Sequence, residues 1–228
     1  SQSTILPYIP DLVVHSHTIE HSYDPIGFLK TIYNIHNDHL EMIFSIPDLT
    51  YWVKNNFLNA LNFEHSYFLS EDLMDSLLSV VGFKILSKET FGQNHSIFYH
   101  VIKCSPGKFL YIKNQKSLVL DFFEYYQNII FKINKKLETQ KSKVFLFGAH
   151  IFSQFLLSNG LNESKITLIL DNDTNKHNRR LYGTNLFVES PKILKGLQDP
   201  VVILKAGSHQ NDIKKDLLSI NNSVIIEE

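Results

Sequence analysis

The hydrophobic residues in the first half of the chain follow two spacings, one typical of strands and one typical of helices. A β-branched apolar run at residues 11–16 predicts a strand, and Asp24-Pro25 then provides an N-cap with proline at the first helical position. Ser70-Glu71-Asp72 caps a second helix, and Gly82 follows it where a left-handed residue is favoured. Further strands are predicted at residues 40–46, 83–91 and 95–103, and the helix after Asp24 is predicted to extend through His36.

The two β-rich runs at residues 83–91 and 95–103 lie on either side of Gly92-Gln93-Asn94. A short connection of turn-forming residues between two strands is typical of a β-hairpin. We therefore expect an antiparallel pair at the end of the first half.

One long amphipathic pattern separates the two halves of the chain. Lysines gather near its C-terminal end, where the helix dipole favours cations. At about 1.5 Å per residue this helix is roughly 30 Å long, which is enough to bridge two domains. Its apolar stripe comprises Val119, Phe122, Phe123, Tyr126, Ile129, Ile130, Ile133 and Leu137, and we expect both halves to bury it.

The second half alternates strands and helices in the way that is typical of a doubly wound parallel sheet. Strands are predicted at residues 143–147, 166–170, 201–204 and 224–226, with helices after Gly148-Ala149-His150 and after a cap at Ser208. The chain is therefore predicted to be α/β. We expect a first module at residues 1–115, a bridging helix at 116–139 and a second module at 140–228.

Composition and charge exclude several classes of protein. The 228 residues have a formal net charge of −1, and Arg179 and Arg180 are the two arginines, so we expect no nucleic-acid partner. No apolar run is long enough for a transmembrane helix, and no signal peptide is visible at residues 1–10. We therefore expect a cytoplasmic protein with no membrane partner. The single cysteine, Cys104, excludes an internal disulfide and a cysteine-built zinc site.

Three stretches of the first half match the order of elements at the end of a known enzyme domain. They are residues 11–29 (DLVVHSHTIEHSYDPIGFL), residues 41–47 (EMIFSIP) and residues 64–83 (EHSYFLSEDLMDSLLSVVGF). These resemble the fourth strand with its helix, the fifth strand, and the stretch ending in a helix and Gly-Phe of class I S-adenosylmethionine methyltransferases. The resemblance implies the back half of a parallel sheet that finishes in an antiparallel hairpin.

A second set of motifs lies in the second half. Phe147-Gly148-Ala149 forms a glycine-alanine turn, and residues 176–184 (KHNRRLYGT) are followed by Ser190-Pro191. These segments resemble the C-terminal Rossmann-like domain of the sugar C-methyltransferase family. The chain departs from that family where Leu146 replaces an earlier glycine, Phe152 replaces a lysine and Gly207-Ser208 replaces a Trp-Asn pair.

The resemblance implies a cofactor, a substrate and an activity. The family's glycine-rich loop and cofactor-binding acid would precede Asp11, so we expect a C-terminal fragment with most of the S-adenosylmethionine cradle outside it. The implied activity is methyl transfer to a sugar, nucleotide-linked, in carbohydrate biosynthesis. The alternative is a non-catalytic nucleotide- or partner-binding module on a degenerate methyltransferase scaffold; a dehydrogenase is disfavoured because the glycine fingerprint is missing. The sequence does not distinguish a monomer from a homo-oligomer.

Glu64-His65 is the strongest catalytic candidate. The aromatic-rich segment at residues 52–68 ends before a capped helix, so we expect a loop near the carboxyl edge of the sheet, where ligands bind. By the resemblance, Glu64, His65 and His21 take part in substrate deprotonation, with Tyr67 as a hydroxyl donor. His65 is the preferred base, because the ordinary pKa of imidazole suits proton abstraction at neutral pH. The alternative is that Glu64 and His65 only hold the loop in place.

The second half offers candidate substrate-binding residues. Gly148-Ala149-His150 opens a helix directly after a strand, where free amides and the helix dipole favour an anion. Asp171 lies 23 residues after Gly148, close to the spacing of a ribose-binding acid, and Lys176 and Arg179 are suited to contacting phosphates. The alternatives are a structural turn, an exposed aspartate and a solvated loop.

Three histidines near the first strand suggest a metal site. His15 and His17 would share one face of that strand, because they are two positions apart. No third kind of ligand clusters in the sequence with them and His21, and methyl transfer needs no metal. We therefore predict no metal site.

Overall fold

The computed structural model describes residues 8–62, 64–92, 95–205 and 210–227. The chain is α/β, with a mixed four-stranded sheet and a separate five-stranded parallel sheet. It divides into two compact units, one made of residues 1–55 and 60–118, the other of residues 56–59 and 119–228. None of the helices in these described ranges is long and apolar enough to cross a membrane.

The first unit is built around the mixed sheet, whose strand order is β1-β2-β4-β3. β1 and β2 are parallel, whereas β4 pairs antiparallel with both β2 and β3. The elements are β1 (Leu12–Ser16), α1 (Pro25–Tyr33), β2 (Glu41–Pro47), α2 (Leu49–Lys54), α3 (Glu71–Val81), β3 (Phe83–Phe91) and β4 (Ser96–Lys103).

Local chemistry explains where the two main helices of this unit begin and end. The Asp24 side chain accepts a hydrogen bond from the Gly27 amide at 2.8 Å and caps α1. Ser70 caps α3, and Gly82 ends it in a left-handed conformation with φ of 112°. A Cβ at Gly82 would lie 2.5 Å from the Tyr33 ring, so glycine is also required for close packing. The two helices are thereby fixed on a core that includes Leu29, Met42, Phe44, Met74, Leu78, Tyr99 and Val101.

The second unit is built around the all-parallel sheet, whose strand order is β7-β6-β5-β8-β9. Its core includes Phe145, Leu170, Val202 and Leu217. The elements are α4 (Lys116–Thr139), β5 (Val144–Phe147), α5 (Ile151–Ser158), β6 (Leu168–Leu170), β7 (Val188–Glu189), β8 (Val201–Ile203), α6 (Gln210–Ile220) and β9 (Ile225–Glu227).

Helix α4 buries most of the apolar stripe that the sequence predicts, but Val119 at its start is 43% exposed. Phe122 and Tyr126 both make edge-on contacts with Phe155 of α5, at centroid distances of 6.4 and 5.2 Å. Ile130 is 4% exposed, whereas the neighbouring Phe131 is 69% exposed. The stripe therefore packs on the second unit, and its role as a bridge between domains stays a prediction.

Most of the predicted elements are confirmed, including the antiparallel hairpin of β3 and β4. The helix after Asp24 ends at Tyr33, before His36. The segment at 52–68 is not wholly a loop: it begins inside α2 and contains a short 3-10 helix at Leu58–Leu61. β7 has only two residues and was not predicted. The predicted cap at Ser208, the Gly207-Ser208 replacement and turn residues Gln93-Asn94 lie outside the described residues.

Candidate functional site

The candidate site lies where the parallel strands β1 and β2 end. The His17 amide donates to the carbonyl of Ser45 at 3.0 Å, which extends the pairing just beyond β1. The chain then turns through a short 3-10 helix at Ile19–His21. The carboxyl ends of parallel strands are where open α/β sheets bind ligands.

Backbone hydrogen bonds hold the segment around His65 against this turn. The carbonyl of Glu20 accepts from the amides of Ser66 and Tyr67 at 2.9 and 3.2 Å. The Ser66 hydroxyl also donates to the His21 carbonyl at 3.3 Å. Two segments far apart in sequence are therefore fixed side by side, and His65 is brought next to Glu20.

The structure brings Glu20, His21 and His65 into one cluster. Each offers one potential ligand atom, and these atoms lie within 4.8 Å of one another. The His21 and His65 rings have centroids 5.0 Å apart and meet edge to face. His17 borders the cluster, with its Nδ1 3.4 Å from Oε1 of Glu20.

Glu20 is the most unusual member of the cluster. It is 1% exposed, and within the described part of the chain neither of its carboxylate oxygens accepts a hydrogen bond. The His17 contact has the length of a weak ion pair but lacks hydrogen-bond geometry. Burial raises the pKa of the Glu20 carboxyl above its ordinary value.

The pKa values of His65 and of the bordering His17 shift in the opposite direction. Burial lowers the pKa of His65, and the neighbouring His21 and His17 lower it further. Burial also lowers the pKa of His17, with His95 and His21 adding to the effect. Neutral imidazoles with available lone pairs are therefore favoured beside the Glu20 carboxyl.

Glu64 and Tyr67 take different places from His65. The Glu64 side chain is exposed, but its backbone carbonyl accepts a hydrogen bond from Nδ1 of His21 at 2.9 Å. The Tyr67 hydroxyl donates to the Tyr23 carbonyl at 3.3 Å, and the residue is 42% exposed. Of the four predicted catalytic residues, His65 and His21 join the cluster. The Glu64 carbonyl accepts from the His21 ring, and the Tyr67 hydroxyl donates to the Tyr23 backbone.

A narrow cleft opens beside the cluster. Its volume is about 10 Å³, which corresponds to roughly one water molecule. Aromatic side chains form much of its wall, including Trp52, which is 7% exposed. The lining residues are Glu20, Pro47, Leu49, Trp52, His65, Tyr67, Phe68 and Leu69. As shaped here, the cleft has room for a water molecule or an ion beside Glu20.

In the second unit, the residues predicted to bind a ligand form hydrogen bonds with one another. Oδ2 of Asp171 accepts from the Ala149 amide at 2.7 Å and from Nζ of Lys176 at 3.1 Å, and Oδ1 accepts from the Asp173 amide at 2.8 Å. Burial by itself would raise the pKa of Asp171, but these donors together hold it below its ordinary value. The Gly148 amide donates to the Leu170 carbonyl. The amides of this turn were expected to be free for an anion, and those of Gly148 and Ala149 are not.

His150 and Arg179 complete the set of predicted substrate-binding residues. Nδ1 of His150 accepts from the Phe152 amide at 3.4 Å and caps α5, and burial lowers the pKa of His150. Arg179 is exposed on the segment after β6. Asp171, Lys176 and Ala149 therefore meet, and Arg179 lies at the surface.

The predicted shared strand face of His15 and His17 is wrong. His17 lies beyond the end of β1 with a left-handed φ of 48°, so it does not continue the strand face of His15. The His15 ring stacks on Phe44 and meets Phe28 edge-on, and burial lowers its pKa to about 4. Sequence reasoning missed Glu20, although a glutamate directly before His21 and beside the apolar Ile19 was a visible signal.

Known proteins give no independent identification of this site. A search against known protein families finds no match. A search against curated proteins also finds no match.

Proposed function

We propose that this chain binds and activates the acceptor in an S-adenosylmethionine-dependent methyl transfer to a nucleotide-linked sugar. The observation that carries the proposal is the cluster of a buried carboxylate and two imidazoles at the carboxyl ends of β1 and β2. The sequence resemblance to sugar C-methyltransferases supplies the reaction class. The parallel pair followed by an antiparallel hairpin is the strand arrangement that this resemblance implies.

The described residues do not provide the usual groups for the methyl donor. The resemblance places the family's glycine-rich loop before Asp11, upstream of the segments that match. After β5, the Ala149 amide and the Asp171 carboxylate bond to each other. No residue of this chain is therefore assigned to S-adenosylmethionine.

The chemistry that the cluster supports is removal of a proton from the acceptor. The acceptor atom is a hydroxyl oxygen or a carbon beside a keto group, and its bond to hydrogen breaks while the electron pair stays on the acceptor. The proton passes to His65 or to Glu20. Burial raises the pKa of Glu20 and lowers that of His65, so the proton affinities of the two groups approach each other.

We propose that the second unit binds the diphosphate of a nucleotide. Lys176 and Arg179 follow β6, at the carboxyl edge of the parallel sheet, where cations suit a diphosphate. Lys176 already forms an ion pair with Asp171, so a phosphate would compete with Asp171 for the Lys176 ammonium. Arg179 is exposed and accessible to a ligand.

The test uses the complete gene product that contains these 228 residues. The protein is incubated with S-adenosylmethionine carrying a deuterated methyl group and with a panel of nucleotide-linked sugars, and products are weighed by mass spectrometry. We expect a donor-dependent gain of one labelled methyl by one sugar of the panel. Glu20→Gln should lose this product, whereas Glu41→Gln, on a half-exposed carboxylate paired with His100, should keep it. Absence of labelled sugar with the parent, or equal labelling by Glu20→Gln, would contradict the proposal.

A further inference from the structure

We propose that Glu20, His21 and His65 form a binding site for one divalent transition-metal ion. Their potential ligand atoms lie within 4.8 Å of one another. Two atoms bonded to one ion at about 2.1 Å are at most about 4.2 Å apart. Small rotations of the side chains are therefore enough to bring all three onto a common ion.

The buried carboxylate of Glu20 points independently to a ligand. The residue is 1% exposed, and among the described residues its oxygens accept no hydrogen bond. A buried carboxylate without partners is strongly unfavourable, and such groups are normally paired or bound to a metal. The His17 contact at 3.4 Å is only a weak ion pair, and a cation between Glu20 and the two imidazoles would supply the ligand bond that such a carboxylate lacks.

His21 is held in the form that a ligand requires. A carbonyl can only accept, so Nδ1 of His21 carries the hydrogen that bonds to the Glu64 carbonyl at 2.9 Å. In the neutral tautomer that makes this bond, Nε2 of His21 is the nitrogen whose lone pair is available. Histidine ligands in proteins usually make such a second hydrogen bond, which fixes the tautomer and the ring orientation. The exposed Glu64 thus contributes through its backbone.

Backbone hydrogen bonds fix the frame around the cluster. Glu20 is fastened to the segment after His65 by two backbone hydrogen bonds from the amides of Ser66 and Tyr67. Binding therefore requires side-chain adjustment and no rearrangement of the backbone. The adjoining cleft, with a volume of about 10 Å³, is at the lower limit for one water molecule.

The ligand chemistry selects the class of ion. Two imidazole nitrogens and one carboxylate suit zinc, cobalt, nickel, iron and manganese, whereas magnesium and calcium prefer oxygen ligands. Three protein ligands leave a position for water or for an oxygen of a substrate. An ion held there would occupy the lone pairs of Glu20 and His65, and it would supply Lewis-acid polarisation to an oxygen ligand in the open position.

Metal binding can be measured on this chain without methyl donor or sugar, so the inference goes beyond the proposed function. A negative result in either test leaves the other unaffected. The direct test is a titration of the metal-free 228-residue chain with Co²⁺, followed by visible absorption, and with Zn²⁺, followed by calorimetry. We expect one ion per chain. His65→Ala and Glu20→Gln should each weaken binding by at least about 10-fold. His39→Ala, on an exposed turn away from the cluster, should bind like the parent.

Circular dichroism of each variant shows whether weaker binding comes from the loss of a metal-binding side chain or from unfolding. If His65→Ala does not fold, the Glu20→Gln variant still tests the proposal. Absence of binding by the parent would overturn the proposal. So would unchanged affinity in a folded Glu20→Gln variant. An equal loss in His39→Ala would also overturn it, because it would assign binding to surface histidines.

Discussion

Nδ1 of His21 donates a hydrogen bond to the backbone carbonyl of Glu64 at 2.9 Å. The bond joins the turn after β1 to a segment 43 positions further along the chain. Because the carbonyl fixes which nitrogen carries hydrogen, it also decides which nitrogen of His21 is free to act. Glu64 is therefore best described as a positioning residue that acts through its backbone, while its neighbour His65 lies in the cluster.

Replacing Glu20 by methionine should stabilise the metal-free protein. The substitution removes a buried carboxylate without hydrogen bonds and leaves a side chain of similar length. We expect the free energy of unfolding to rise by about 1–3 kcal/mol, measured by urea denaturation of the chain. Glu41→Met is the matched control, since Glu41 is 42% exposed and pairs with His100. It should change stability by less than about 1 kcal/mol. A loss of stability in Glu20→Met would mean that the carboxylate has a partner in solution.

Replacing Ile130 by aspartate should destabilise the second unit. Ile130 lies on the buried stripe of α4 and is 4% exposed, so the new charge would lose its hydration. We expect a loss of about 3–5 kcal/mol in thermal or urea unfolding. Phe131→Asp, at the next position on the exposed face, should change stability far less. If the Ile130→Asp variant unfolded at the same temperature as the parent, this face of the helix would be exposed to solvent and the prediction would be wrong.

Asp171 should make stability depend on pH in the acid range. Burial opposes ionisation, but the amides of Asp173 and Ala149 and the Lys176 ammonium outweigh it, so its pKa is lower in the folded than in the unfolded chain. The folded state then binds fewer protons at this group, and its contribution is fully present above the ordinary aspartate pKa of about 3.9. It is lost as the pH falls through the lower folded value.

Asp171→Asn should therefore be less stable than the parent at neutral pH by about 1–3 kcal/mol. The difference should shrink as unfolding is measured at successively lower pH below about 4. Asp212→Asn, where the side chain is 81% exposed and 3.9 Å from Lys215, serves as the control and should show no such trend. A difference that stays constant down to the acid range would show that Asp171 is not held ionised by its donors.

Local signals were enough to predict most of the fold. Alternating residues, the Asp24 and Ser70 caps and the left-handed Gly82 are chemical features of single segments, so the sequence displays them directly. The elements that were missed are short. α2 has six residues and β7 has two, and both depend on tertiary pairing more than on a periodic pattern.

The candidate site was predictable only in part. His21 and His65 were identified through a family resemblance, but the burial of Glu20 depends on a backbone contact with Ser66 that the sequence does not reveal. In the second unit, the spacing of Gly148 and Asp171 was recognised, but the hydrogen bond that closes Asp171 onto Ala149 was not. Sequence spacing indicates which residues can meet, whereas tertiary contacts decide whether they face a ligand or each other.

The central claim is that the Glu20–His21–His65 cluster acts on the acceptor, and the turnover of His65→Ala tests it most directly. Methyl transfer by the complete gene product is measured on the sugar that the parent methylates, with His39→Ala as the matched control. We expect His65→Ala to lower turnover by roughly 10²–10⁴-fold, with thermal stability and affinity for the methyl donor little changed. His39→Ala should transfer methyl groups like the parent. Turnover of His65→Ala close to that of the parent would contradict the claim and place the reacting group elsewhere.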